Sequence, residues 1–171
     1  MATKPGTTLR WLLLALAVWG AGTLYSKLAT PPPVAPPAPA WQRPVAELSE
    51  GQQQLHALLR ARLRAAERER SQTKRWPPAE DLFPRGWVQR RQRTAINYVG
   101  EGEGLRWLVL FLEPDRRAPP EKAPPEDDEH HTLADGTPLH VTLWTQPLTE
   151  GPTDQVTAFP AAEGWVERVR R

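Results

Sequence analysis

The chain has 171 residues, a formal net charge of +2 and no cysteine, which excludes a disulfide framework and a thiolate metal site. The small net charge results from a basic segment and an acidic segment that nearly cancel. Residues 43–93 hold 12 basic and 6 acidic side chains, whereas residues 101–135 hold 4 and 10. The two halves either attract each other within the fold, or present two solvated faces of opposite charge, or direct the basic half to an anionic surface such as lipid headgroups. No aromatic-rich basic motif indicates nucleic-acid binding.

An uncharged apolar run, residues 11–25, lies near the start of the chain between Arg10 and Lys27. Spanning a bilayer takes roughly 17–25 apolar residues. The flanking apolar residues extend the run toward that length, because the two basic side chains can snorkel to the headgroups. We therefore predict a signal-anchor or transmembrane segment over residues 1–29, in contact with the lipid bilayer through residues 9–29.

The distribution of basic residues predicts how the chain is oriented across the membrane. They are slightly more frequent before the apolar run than just after it, which predicts a cytoplasmic N-terminus and an exported remainder. A cleaved secretory signal is the open alternative, and it exports the same remainder. Of the 22 basic residues, 18 are arginine, a bias typical of GC-rich bacterial genomes. We expect a single-pass protein of the bacterial inner membrane with a periplasmic C-terminal domain.

A proline-rich linker is predicted over residues 30–44, because such runs adopt an extended polyproline II conformation. A long helix follows, since Ser49 and Gln52 have the spacing of a capping box. Its apolar residues, which include Leu58, recur at steps of three, four and seven, whereas the arginines up to Arg70 fall on the other face. Trp76-Pro77-Pro78 ends the helix, and one further short turn is predicted before Phe83.

The remaining pattern predicts strands. After Trp87 the period shifts to two, and Thr94, Ile96 and Tyr98 alternate with Ala95, Asn97 and Val99. Gly100–Gly104 is a hairpin connection, and Leu105–Leu112 is a central strand. Residues 114–128 are predicted to be a disordered acidic loop, and Trp165–Val169 is either a short helix or an edge strand.

Together these elements predict an α+β fold, with an N-terminal transmembrane helix, a Pro-rich linker and one small exported domain over residues 45–171. In that domain one long helix packs on a small antiparallel sheet of about four strands. The predicted core consists of Leu55, Leu59, Leu63, Ile96, Trp107, Val109, Val141 and Leu143.

The last hairpin is predicted from Asp135-Gly136, a strong two-residue turn signal. If these two residues form the turn, His131 faces His140, on the side of the strand opposite to the core-facing Leu139, Val141 and Leu143.

This hairpin suggests a metal site. Directly opposed side chains lie about 5 Å apart at Cβ, and imidazole with carboxylate is a typical donor set for Zn²⁺. The candidate metal ligands are Glu129, His130, His131 and His140. Two other interpretations stay open: weak pH sensing by the histidine pair, and exposed polar residues with no special role.

Several segments together resemble small bacterial membrane-anchored proteins of unknown function encoded near metal-uptake ABC transporters. The resemblance implies an accessory role in metal acquisition, with no known activity or site. It is carried by the anchor, the leucine helix through Leu63, and the residues of 76–82, 97–100 and 129–137.

No catalytic signature accompanies these features. The only serines are Ser26, Ser49 and Ser71, and all three lie outside the predicted sheet, which argues against a serine triad. The leading hypothesis is a non-enzymatic, single-pass, membrane-anchored accessory or scaffold protein of an envelope or transport system, with a protein partner in the membrane or periplasm. The alternative is a periplasmic zinc-binding accessory protein that uses the acidic, histidine-bearing hairpin.

Overall fold

A computed structural model describes residues 37–114, 129–148 and 157–170. The predicted membrane segment lies outside these ranges, as do most of the predicted linker and residues 115–128 of the predicted acidic loop. Within the described ranges, no helix has the length and apolarity needed to cross a bilayer.

The described residues form an α+β fold with one long helix and a mixed seven-stranded sheet, which confirms the predicted class. Two short 3-10 turns, Val45–Glu47 and Pro160–Glu163, complete the regular structure. In chain order the main elements are β1 (Gln42–Pro44), α1 (Glu50–Thr73), α2 (Ala79–Leu82), β2 (Val88–Gln92), β3 (Ala95–Gly102), β4 (Leu105–Leu112), β5 (His130–Thr132), β6 (Pro138–Pro147) and β7 (Val166–Val169).

The sheet is larger than the four antiparallel strands that were predicted. Its order is β1-β7-β6-β4-β3-β2. Strand β4 pairs with one edge of β6, and β5 and β7 both pair with the other edge. The described pairings are antiparallel except that of β1 with β7, which is parallel. Strand β1 lies within the predicted linker, so the compact unit begins at Ala38 rather than at residue 45. The C-terminal segment is a strand, and it lies inside the sheet rather than at its edge.

Helix α1 begins and ends where the sequence indicates. The Ser49 side chain accepts a hydrogen bond from the Gln52 amide, and the Gln52 side chain accepts one from the Ser49 amide, so the capping box is present. Lys74, at φ 63°, ends the helix in the left-handed region. The short turn predicted before Phe83 is the four-residue helix α2.

One face of the sheet packs against α1 and carries the main core. Seven of the eight predicted core residues are buried there, and Leu55 is half-buried and packs against them. Leu58, which belongs to the same leucine pattern, is 45% exposed. Conversely, Arg70 was expected on the polar face but is buried. The Glu113 carboxylate compensates its charge there, since Arg70 Nε lies 2.9 Å from Glu113 Oε1.

The opposite face of the sheet carries a second apolar cluster, which the sequence did not predict. It contains Leu108, Leu110, Trp144 and Trp165, and residues from the 157–165 segment pack against it. Asn97 holds this segment in place, because its side chain donates to the Thr157 carbonyl at 3.0 Å and accepts from the Thr157 amide at 2.7 Å.

The β3–β4 hairpin is tighter than the predicted Gly100–Gly104 connection. Its turn is Glu103-Gly104, with φ of 52° and 73°, the left-handed values that a type I′ turn requires. Gly100 lies within β3, where a Cβ would overlap the indole ring of Trp87. The glycine is needed there because an aromatic side chain packs directly over the strand.

Candidate metal centre

The turn between β5 and β6 determines which residues face each other across this hairpin. The Leu133 amide donates to the Thr137 carbonyl at 2.9 Å, and the Gly136 amide donates to the Leu133 carbonyl at 2.8 Å. The loop therefore has three residues, with Gly136 at φ 82°, which is the arrangement of a type I turn followed by a bulge. The predicted two-residue turn is wrong by one residue.

The extra turn residue changes the register of the hairpin. His130, and not His131, lies opposite His140, because a slip of one residue moves every side chain of a strand to the other face of the sheet. The two imidazoles stack with their centroids 4.1 Å apart and their planes 11° from parallel. They lie on the side away from α1, since the neighbouring Leu139 and Val141 belong to the core beneath the helix.

Glu129 adds a carboxylate to this pair. One donor atom from each of Glu129, His130 and His140 lies within 4.8 Å of the others, and all three residues are half-buried. The backbone of Glu129 is fixed, because its carbonyl accepts from the Val141 amide at 2.7 Å. Two ligands of one Zn²⁺ ion are at most about 4.2 Å apart, twice the usual Zn–N distance. Small side-chain rotations would therefore bring the three donors to a single ion.

His131 does not belong to this cluster. It faces α1, and its Nε2 lies 3.2 Å from Glu67 Oε2. Of the four predicted metal ligands, the structure brings three together and places the fourth on the other face of the sheet. The reason is the turn length, because a two-residue turn would have exchanged the positions of His130 and His131.

Among the described residues, Arg60 and Glu167 lie near the cluster, and neither was predicted to be there. Arg60 Nη2 lies 3.9 Å from Glu129 Oε1. Glu167 on β7 is buried, and burial raises its pKa, although a 2.7 Å hydrogen bond from Gln42 acts in the opposite direction. The negative charge of Glu129 raises the pKa of Glu167 further. The sequence left residues 165–169 as either a short helix or an edge strand. Only the choice of a strand paired with β6 would have placed Glu167 near this hairpin.

Comparison with known proteins adds no relative to this description. No protein-family model, no curated protein and no solved structure matches the chain.

Proposed function

We propose that the chain is a non-enzymatic, membrane-anchored accessory protein whose exported domain binds a transition metal ion. The observation that carries the metal proposal is the stacked pair of His130 and His140 with the Glu129 carboxylate beside it. The anchor and the export are supported by the composition of residues 9–29.

Zn²⁺ is the first candidate, because neutral imidazole and carboxylate are among its usual donors and none of the three ligands is a thiolate. Three protein ligands leave the fourth position of a tetrahedral ion to water or to a group from a partner. Such a site exchanges its ion more readily than a closed four-ligand site. This property suits an accessory protein that takes up an ion and passes it on.

The accessory role also rests on the layout of the chain. An apolar segment and a proline-rich spacer would tether the domain that carries the cluster to the bilayer. We propose that the partner is a protein in the membrane or the periplasm, since a single metal-binding domain on a tether needs a donor or an acceptor for its ion.

The metal proposal is tested by calorimetric titration of Zn²⁺ into the full chain in a mild detergent. We expect saturable binding by the wild type and a loss of at least tenfold in affinity, about 1.4 kcal/mol, in both His130→Ala and His140→Ala. His131→Ala is the matched control, because the neighbouring imidazole faces α1 and should leave the affinity unchanged.

Two results would contradict the metal proposal. One is the absence of saturable Zn²⁺ binding by the wild-type chain. The other is a loss of affinity in His131→Ala together with unchanged affinity in His130→Ala. That result would mean that His131 is the ligand opposite His140, as a two-residue turn requires. Circular dichroism of each variant shows whether the fold is retained.

A further inference from the structure

The sheet has an open edge at β2, which stands three positions from β6 in the strand order. Among the described strands, β2 pairs only with β3, in a continuous antiparallel register without a bulge. Three of its five residues are exposed, namely Val88, Arg91 and Gln92. Its sequence contains no proline. The outer side of β2 is therefore accessible to a further strand.

The register of β2 against β3 determines which backbone groups face outward. The two strands are joined by the two-residue turn Arg93-Thr94, so Gln92 and Ala95 form its closing hydrogen-bonded pair. Hydrogen-bonded and non-hydrogen-bonded pairs alternate along an antiparallel ladder. The amides and carbonyls of Gln89 and Arg91 therefore point away from β3, and an added strand can bond to both residues.

The same edge is basic. Residues 82–100 contain four arginines and no acidic residue. Arg90 already interacts within the structure and is not counted here. The other three, Arg85, Arg91 and Arg93, are exposed, and none of them forms an ion pair with another described residue. Their positive charge is therefore available to an acidic partner.

The acidic residues of neighbouring elements belong to other contacts of the fold. The Glu113 amide donates to the hairpin, but its carboxylate accepts from Arg70 Nε and Trp76 Nε1, both at 2.9 Å. Glu80 and Asp81 on α2 line a groove between α2 and α1. In the part of the chain that the structure describes, no carboxylate therefore neutralises the three exposed arginines by direct pairing.

We propose that the β2 edge binds an extended acidic segment of another protein, which adds a strand to the sheet. Backbone hydrogen bonds to Gln89 and Arg91 provide the pairing, and the side chains of the added strand provide selectivity. Directly opposed residues share a face of the sheet, so an acidic residue opposite Arg91 lies beside its guanidinium. An apolar residue opposite Val88 covers a side chain that is 43% exposed.

A second copy of this chain is a poorer occupant of the edge. Pairing β2 with itself brings the arginines of two copies close together, and like charges opposed across strands are destabilising. Charged residues on an edge strand commonly prevent such self-association. The arginines that disfavour a second copy attract a strand of opposite charge, so the edge selects for an acidic partner.

The test uses the full chain in a maltoside detergent, with a chelator present so that the result is independent of the metal proposal. The probe is the end-blocked peptide Val-Glu-Val-Glu-Val, and Val-Lys-Val-Lys-Val is its charge-reversed counterpart. We expect saturable binding of the acidic peptide in calorimetry, and slower amide hydrogen exchange over residues 88–92. The basic peptide should bind about fivefold more weakly or less.

Charge reversal at one position tests the recognition of the peptide. We expect Arg91→Glu to weaken binding of the acidic peptide about fivefold and to strengthen binding of the basic peptide. Arg68→Glu is the matched control, because this exposed arginine lies on α1 and should leave both affinities unchanged. Circular dichroism shows whether both variants retain the fold.

Backbone pairing is tested with the acidic peptide N-methylated at both glutamates, which keeps its charge but removes the donors that would face β2. The proposal is overturned if this peptide binds as tightly as the unmodified one, since the arginines would then recognise charge without a strand. It is also overturned if the acidic peptide does not bind saturably, or if Arg68→Glu lowers its affinity as much as Arg91→Glu does.

Discussion

At the scale of single residues, the position of the turn between β5 and β6 could be predicted from the sequence, but its length and the register of the hairpin could not. Asp135-Gly136 correctly marked a turn, but the same dipeptide also fits the last two positions of a three-residue loop. The geometry is held by contacts distant in sequence, since Lys74 Nζ lies 2.6 Å from Asp135 Oδ2 across 61 positions. No local pattern reveals such a contact, so the register of the candidate site could not be predicted.

The same carboxylate gives a prediction for acid stability. A hydrogen bond from Lys74 and further bonds from Thr137 hold the pKa of Asp135 well below its usual range. Its contribution to folding stability is therefore complete above the unfolded pKa of about 3.9 and is lost as the pH falls below that value. We expect Asp135→Asn to unfold at lower urea concentration than the wild type at pH 6, with the difference shrinking toward pH 2.

The control for this prediction is Asp81→Asn, which changes an exposed carboxylate on α2. It should leave the pH dependence of the urea midpoint close to that of the wild type. A difference between wild type and Asp135→Asn that stays constant from pH 6 to pH 2 would show that the carboxylate charge contributes nothing.

At the scale of elements, long and strongly patterned segments were predicted and short polar ones were not. Helix α1 has a capping box and a leucine repeat, and β4 is apolar over almost its whole length. Strand β2 reads Val-Gln-Arg-Arg-Gln, with no alternation of apolar residues, and β1 contains Pro44. These strands are specified by pairing with neighbours rather than by their own residues, so periodicity could not identify them.

The leucine repeat of α1 gives a matched pair of substitutions. Leu63 is 2% exposed and lies in the core, whereas Leu58 is 45% exposed. We expect Leu63→Ala to lower the free energy of unfolding by about 2–5 kcal/mol through a buried cavity. Leu58→Ala should change it by no more than about 0.5 kcal/mol. Urea denaturation of both variants measures the difference, and equal losses would mean that the buried face of α1 is assigned wrongly.

At the scale of the whole molecule, some charged side chains of the basic half form ion pairs with those of the acidic half within the fold. Side chains from the basic half meet side chains from the acidic half in the pairs Arg60–Glu129, Arg70–Glu113 and Lys74–Asp135. This supports the first interpretation of the charge pattern, in which the two halves attract each other. The resemblance to anchored proteins of metal-uptake systems stays a prediction.

The proposed membrane anchor gives the prediction that concerns the entire chain. We expect the full-length protein to stay with the membrane fraction after alkaline carbonate extraction, because an apolar helix buries its length in lipid. Removal of residues 1–29 should release the protein into the soluble fraction. A periplasm-dependent reporter fused after residue 171 should be active, and an inactive reporter beside an active cytoplasmic one would reverse the proposed orientation.

The position of β7 has a consequence for how the protein is made. This strand is the last of the seven to be synthesised, yet it lies between β1 and β6, and its Glu167 meets Gln42 across 125 positions. Until β7 has joined the sheet, β1 has no described neighbour and part of one edge of β6 stays open. Pairings between such distant segments form slowly, and open edges invite aggregation. The open edge of β6 can therefore close only after the whole domain has reached the compartment in which it folds.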